Sequence, residues 1–449
     1  MQYRLGLCFD SGWYRFTAYL LNFQKYVMVN KIISWSIHNR FIVITAILGL
    51  ISYGTYCLLR TPVDAIPDLS ENQVIVFTQW MGQGPQIMED QVTFPLVSNL
   101  QGIPDVKDIR AVSMFGMSFV YVIFDDKTDI YWARTRVLER LNYAQKFLPQ
   151  GVTPSIGPDA TGVGQVYWYT LKAPGYDLGT QRSLQDWYIK FALQDVPGVS
   201  EVASFGGFQK QYQVTLDPNK LNYYNITVMD VIKAIRQNNN DAGGGVFDLN
   251  NANYVIRGLG YIQNEKELAE VPVATQGTTP IRVEDLGVVQ MGGDQRLGLA
   301  DENGNGEVVG GVVLMRYGAN ADKVISLVKA KMKEISRGLP PGVSFKTAYD
   351  RSILINSAIN SISRTIIEEI LLVCVVILIF LFHFRSALVV MLSIPIALLT
   401  AFIFIHWLGF SSNIMSLSGI AIAIGVIVDN GIVMVENAYR HLTENTGSN

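Results

Sequence analysis

The stretch GIAIAIGVIVDNGIVMVE, residues 419–436, decides how the rest of the chain is read. It is apolar enough to cross a bilayer, yet it carries two acids, Asp429 and Glu436. An ionisable group at membrane depth is costly and marks an ion or proton path. On a helix turning about 100° per residue, the two carboxyls share one face, roughly 10 Å apart along the axis. Gly425 and Ala421 continue that face upward, and small residues there predict the close approach of a neighbouring helix. The stretch therefore reads as a packed helix with Asp429 and Glu436 as proton carriers. The blander reading is a structural ion pair or an interfacial acid, and it is stronger for Glu436, which lies close to Arg440.

Composition supports a membrane protein. Hydrophobic residues make up 49% of the 449 and charged residues only 16%, with the apolar runs at the two ends. Four spans are expected, at 41–60, 366–384, 387–407 and 413–438, each near the length of about 20 residues that crosses a bilayer. Lys25, Lys31 and Arg40 precede the first span and Asp64 and Asp68 follow it, so the segment 28–40 is placed in the cytoplasm and everything after Arg60 outside. The turn at His383-Phe-Arg385 and the tail 439–449 then fall inside, and Pro395 predicts a kink. Residues 1–27 are aromatic-rich but interrupted by Asp10 and Arg15; they read as an extension ahead of a natural start at Met28.

The middle, 61–365, is polar and alternating, with no run of span length. Strand patterns fall at Gln73–Gln79, Ser118–Phe124 and Tyr212–Leu216, and helical ones at Pro85–Leu100, Asp129–Phe147, Ser183–Asp195 and Ala321–Arg337. Two patterns recur. Leu100-Gln-Gly-Ile-Pro-Asp-Val-Lys-Asp-Ile and Leu193-Gln-Asp-Val-Pro-Gly-Val-Ser-Glu-Val each lead into a strand. Leu148-Pro-Gln-Gly-Val and Leu339-Pro-Pro-Gly-Val each close a helix and open a strand. Duplicated helix–turn–strand units predict sister subdomains. The fold class expected is thus a membrane α-helical bundle of four spans plus an α+β outer region of βαβ repeats.

Several chemistries are set aside. The net charge of −3 does not point to nucleic acid. Three cysteines and four scattered histidines make neither a disulfide framework nor a zinc spacing. Asn238–Gly245 lacks the Lys-Ser/Thr of a phosphate loop and reads as a glycine-kinked loop feeding a hairpin. Asp301–Glu307 lacks calcium-loop spacing and reads as a solvated turn. No catalytic constellation is visible, so neither an enzyme nor a bound cofactor is expected. Thioethers select soft ions such as Cu(I), but most of the 13 methionines read as core filler.

The order of longer motifs carries a resemblance. These are Thr61-Pro-Val-Asp-Ala-Ile-Pro-Asp68, Gln91-Val-Thr-Phe-Pro95, Phe115-Gly-Met-Ser-Phe-Val-Tyr-Val-Ile-Phe124, Thr128-Asp-Ile-Tyr-Trp-Ala-Arg134, Gly157-Pro-Asp-Ala-Thr-Gly-Val-Gly164, Arg182-Ser-Leu-Gln-Asp-Trp187, Tyr349-Asp-Arg351, His383-Phe-Arg-Ser-Ala387 and Val428-Asp-Asn-Gly-Ile-Val-Met-Val-Glu-Asn437. Together they resemble the heavy-metal efflux branch of the resistance-nodulation-division (RND) transporters, and within it the copper/silver subgroup.

The resemblance implies a homotrimeric permease of the bacterial inner membrane, multi-pass, with a large periplasmic region. It would export heavy-metal cations, Cu(I) or Ag(I), as its substrate in exchange for protons. Its implied partners are a periplasmic adaptor (membrane fusion) protein and an outer-membrane channel. The middle would hold porter subdomains and a docking hairpin. Asp429 and Glu436 match the acids of the family's proton-relay helix, and Met415 and Met434 match two positions of its metal pathway. Two further positions of that pathway hold Ile427 and Gln295 here. Family members are about twice as long, so the chain resembles their amino-terminal half, as a fragment or as one part of a split pump. The alternatives are an RND exporter of drugs or of Zn, Co or Cd, and a non-transporting fragment.

Overall fold

A computed structural model describes residue 31 and residues 33–250, 252–296, 298–381 and 384–446. The expected extension 1–27, the start at Met28 and His383 of the expected inner turn lie outside the described residues. The chain divides into two compact units. One comprises Ser70–Ala319 and Lys323–Arg351; the other gathers residues up to Leu69, Asn320–Asp322 and those from Ser352 on.

The sheet-bearing unit starts with β1 (Gln73–Gln79), whose Val74 and Val76 point inward between more exposed neighbours, the period-two pattern of a half-buried strand. A helix over residues 85–100, β2 (Val106–Met114), β3 (Met117–Phe124), a helix Ile130–Ala144 and β4 (Pro154–Ile156) follow. The sheet order is β2-β3-β1-β4, with antiparallel pairing throughout. This is a split βαβ arrangement, because β3 lies between the two strands that the first helix joins. Leu96, Leu100, Val137 and Leu141 of the two helices bury against Val74, Val120, Val122 and Phe124 of the sheet. Asp129 starts the second helix, its carboxylate accepting from the Trp132 N–H at 2.8 Å, a cap worth about 1 kcal/mol.

The same order recurs. β5 (Gln165–Lys172), a helix over residues 178–194 and β6 (Val199–Phe205) come first. An inserted segment, residues 206–309, carries β7 (Lys210–Leu216), β8 (Ala242–Leu249), β9 (Ala252–Gly258), β10 (Pro272–Gln276), β11 (Thr279–Arg282) and β12 (Gly287–Gly293). Then β13 (Gly310–Met315), a helix Ala321–Ile335 and β14 (Ser344–Asp350) complete a sheet of order β14-β5-β13-β6. The Leu100 and Leu193 repeats both leave the first helix for the second strand, and the Leu148 and Leu339 repeats both enter the fourth. The helix 85–100 has a π turn at Glu89–Thr93 and the helix 178–194 has one at Gln185–Ile189. π turns are rare, so two in corresponding helices add to the case for duplication.

Each π turn anchors a buried polar side chain to its sheet. Thr93 Oγ1 lies 2.7 Å from Ser118 Oγ and 2.8 Å from Ser113 Oγ. Gln185 accepts from the Tyr169 hydroxyl at 3.1 Å and donates to Ser204 Oγ at 3.3 Å. Burial is the main cause pushing the Tyr169 phenol far up from its ordinary range.

Within the insertion, β7 pairs antiparallel with β12 and a separate core forms around Leu221, Val231, Val283 and Leu286. β8 and β9 form an exposed hairpin with Phe247 stacked on Tyr254, ring centres 5.3 Å apart. The triple glycine is not a loop ahead of this hairpin. Gly243–Gly245 lies inside β8, where the register shifts between Gly243 and Val246. Glycine there supplies a bulge, with Gly245 at φ +84°. At the other expected turn, the Asp301 carboxylate accepts from the N–H groups of Gly304 (2.6 Å) and Gly306 (2.9 Å), so its charge holds the turn itself.

The helical unit contains Arg40–Arg60, the helix that begins at Arg351 and runs to Leu381, Phe384–Trp407 and Ile414–Thr446. Among the described residues, Arg40–Arg60 and Ile414–Met434 have the length and apolarity of a span, and Leu392–Trp407 is a shorter apolar helix. The helices overrun the apolar segments read from sequence, starting before 366 and ending after 438. Neither flank has a glycine or proline to stop a helix, and hydropathy marks where apolar side chains end rather than where the helix does.

Candidate functional site

The acids sit on the helix Ile414–Thr446, whose start is firmly fixed. Ser416 N–H donates to Asn413 Oδ1 at 3.0 Å, and Asn413 N–H donates to Ser416 Oγ at 2.9 Å, a reciprocal cap. Ser412, buried, bonds on both sides to the Thr61–Asp68 motif: its N–H donates to Pro62 O at 2.8 Å and its carbonyl accepts from Asp64 N–H at 3.0 Å. That motif therefore serves to seat the amino-terminal end of the acid-bearing helix.

One flank of the helix is packed. Leu417, Ile420 and Ile424 are buried against Ile394 and Phe402, with Leu398, Ala401 and Ile405 alongside. These residues are about 120–180° around the axis from Asp429. Asp429 and Glu436 are exposed in this chain, on the opposite flank. A Cβ built on Gly419 or Gly425 would meet nothing within 4 Å. Among the described residues the close helix approach is at Gly54 rather than at Gly425: a Cβ on Gly54 would lie 2.7 Å from Leu399 Cβ. Glycine is what lets the Arg40–Arg60 and Phe384–Trp407 helices touch there.

Asp429 and Glu436 form one stripe. Met415, 67% exposed, lies about 40° from that stripe near the start of the helix. Met434, 65% exposed, lies about 140° around from Asp429, so the structure does not bring it to the acids.

A polar node in the sheet-bearing unit was not visible from sequence. Asp159, on the strand-free stretch between the sister sheets, accepts from the Tyr131 hydroxyl at 3.1 Å and from the Ser200 hydroxyl, and Arg316 Nε stands 3.9 Å away. Its carbonyl accepts from Tyr317 N–H at 3.0 Å. Tyr131 belongs to the first subdomain and the others to the second, so Asp159 ties the two together. Burial, then the Asp159 charge, pushes the Tyr131 phenol up. The Gly157–Gly164 motif marked the place but not its partners.

Two split βαβ subdomains, an inserted segment with an exposed hairpin, and an apolar helix carrying two acids on its open flank are together the architecture of the RND family. The sequence profile of the AcrB/AcrD/AcrF family matches residues 32–449, and the chain belongs to that family. It is 48% identical to the cation efflux system protein CusA of Escherichia coli K12 over 93% of this chain and 40% of that protein. Identity is 47% to the putative cation efflux system protein SilA of Salmonella typhimurium, with the same coverage. It is 37% to the cobalt-zinc-cadmium resistance protein CzcA of Cupriavidus metallidurans, over 92% of this chain and 40% of that protein. A crystal structure of a heavy metal efflux pump superposes with TM-score 0.81 at 34% identity, covering 90% of this chain and 40% of that one. The chain thus spans about 40% of the length of these relatives, and the resemblance to the heavy-metal branch and its copper/silver subgroup holds along nearly all of it.

Proposed function

We propose that this chain supplies the membrane helices and porter subdomains of a proton-driven exporter of heavy-metal cations, with Cu(I) and Ag(I) as its substrates. The observation that carries the reading is the pair Asp429 and Glu436, set on the open flank of a span-length helix in a chain 48% identical to a cation efflux protein. A bare carboxylate facing lipid is costly. The open flank is therefore the side on which the rest of the pump packs and supplies a cationic partner. Proton binding there changes the charge of the stripe and the helix packing with it. Met415 and Met434 offer thioether steps for a soft ion in the membrane half.

In this reading the four expected spans cross the bacterial inner membrane, with the sheet-bearing unit on the periplasmic side. The functional unit is a trimer working with a periplasmic adaptor protein and an outer-membrane channel. The chain acts as a transporter and not an enzyme, and it uses no cofactor beyond the ion it carries. CzcA, at lower identity, keeps zinc, cobalt and cadmium as the competing substrates.

The test is growth of the native host on copper, silver, zinc and cobalt, comparing wild type with Asp429→Asn. Loss of copper and silver tolerance in the variant is expected. Undiminished tolerance removes the relay assignment, and protection against zinc but not copper replaces the substrate.

A further inference from the structure

Three methionines lie at one end of the first subdomain, around the β2–β3 turn. β2 ends at Met114 and β3 begins at Met117, and these two are direct cross-strand partners closing the hairpin over Phe115 and Gly116. Cross-strand partners share a face of the sheet, with Cβ atoms about 5 Å apart. The segment 80–83 is clamped against the same turn. Trp80 N–H donates to Gly116 O at 2.9 Å, and Gly116 N–H donates to Gln83 O at 2.9 Å. That clamp lays Met81 on the turn, its Sδ 3.4 Å from the point that a Cβ on Gly116 would occupy. Gly116 itself has φ +69°, a conformation glycine adopts without strain.

The trio does not belong to the core. Met81 is 47% and Met114 50% exposed, and Met117 is half-buried. Met88, by contrast, is fully buried and packs in the hydrophobic cluster beneath the sheet. Gap-filling explains Met88 but not three thioethers gathered at an accessible turn. Each arm has three rotatable bonds, which leaves each sulfur free to turn toward an ion at the turn. Thioethers are neutral and soft, which selects Cu(I) and Ag(I) over Zn(II). They also carry no proton to release, so such a site binds metal independently of pH, unlike one built from Cys, His or carboxylate.

We propose that Met81, Met114 and Met117 form a three-thioether site for a soft monovalent cation at the β2–β3 turn. Its use as a pick-up point for the exported ion rests on the metal-export reading above; binding at the site does not. The experiment titrates Ag(I) into the purified chain with its methionine methyl groups labelled with 13C. The methyl signals of Met81, Met114 and Met117 are expected to shift together. The triple variant M81L/M114L/M117L is expected to hold one Ag(I) fewer per chain, and M114L alone to bind at that site about a hundredfold more weakly, since even indirect supports of a metal cost about 10–100-fold when removed. M229L, which alters an exposed methionine outside the trio, should bind as wild type does, and acidification should leave the affinity at the trio unchanged. Equal stoichiometry in wild type and triple variant overturns the site. So do methyl shifts confined to other methionines, or binding at the trio that weakens with acid. Because binding is read without transport, a negative result leaves the growth assay on Asp429 untouched, and a positive one stands even if the chain exports nothing.

Discussion

The two sister subdomains share strand order, helix placement and a π turn, and differ most at one point, the link between their second and third strands. In the first the link is the pair Phe115 and Gly116. In the second it is the whole of residues 206–309, with its own core and exposed hairpin. A fold tolerates insertion where the chain reverses at the surface, because loop-closure entropy grows only slowly with length. The difference teaches that the sheet is the frame the two subdomains share, and the link between second and third strands is where they diverge.

The sharpest way to break this comparison is at the two turns. Gly206 leaves β6 at φ +72°, and a Cβ there would lie 1.9 Å from Val308 O. Arg182 also fastens the Gly206 carbonyl at 2.8 Å. Gly206→Ala should therefore lower the melting temperature well beyond the strain of a left-handed backbone alone. Gly116→Ala, whose Cβ would stand 3.4 Å from Met81, should cost only that strain, about 1–2 kcal/mol. Equal effects in a thermal melt would mean that the insertion is loosely attached.

The π turns come next. Gln185→Leu strands the Tyr169 hydroxyl in a buried site and is expected to destabilise by about 1–3 kcal/mol. Thr93→Val should cost less, since Ser113 and Ser118 lie on adjacent strands and can turn to each other. Hydrogen exchange along β5 and β3 reads the two separately, and a larger loss from Thr93→Val would reverse the ranking.

The smallest effect is set by how each first helix begins. Gly84 opens the helix 85–100 with no side-chain cap, followed by Pro85. Asp177 opens the helix 178–194, and bonds from the Thr180 hydroxyl and N–H, then Lys210, hold its carboxyl at about 2, below the ordinary 3.8. A carboxyl depressed in the folded state contributes stability above its ordinary value and loses it as pH falls through about 2. Acidification should therefore fray the start of the helix 178–194 and not that of the helix 85–100, and Asp177→Asn, which still caps, should abolish the asymmetry in exchange rates.

Much of this architecture was legible because it rests on local periodicity. Gln73–Gln79 alternates and is a strand with those bounds, and the paired Leu-Pro repeats mark like positions in both subdomains. What escaped depends on geometry that composition does not encode. A triple glycine looks like a loop by composition, yet the same freedom makes a strand bulge. The π turns leave no mark on the hydrophobic period. Asp159 meets Tyr131 and Ser200 across 28 and 41 residues of chain, beyond any local pattern. For the site, the stripe of Asp429 and Glu436 followed from helical spacing alone. Which flank would be covered did not, because that is decided by Ile394 and Phe402 on another helix.

A rod gripped along one edge and bare along the other transmits twist. Any neutralisation that lets the bare edge of the Ile414–Thr446 helix roll must drag Leu417, Ile420 and Ile424 with it, and through them Phe402. The amino-terminal end is pinned by Ser412 to the Pro62–Asp64 strap, so the roll is resisted at that end and freest at the other. Asp429 sits at the middle of the helix and Glu436 two turns further from the pinned end.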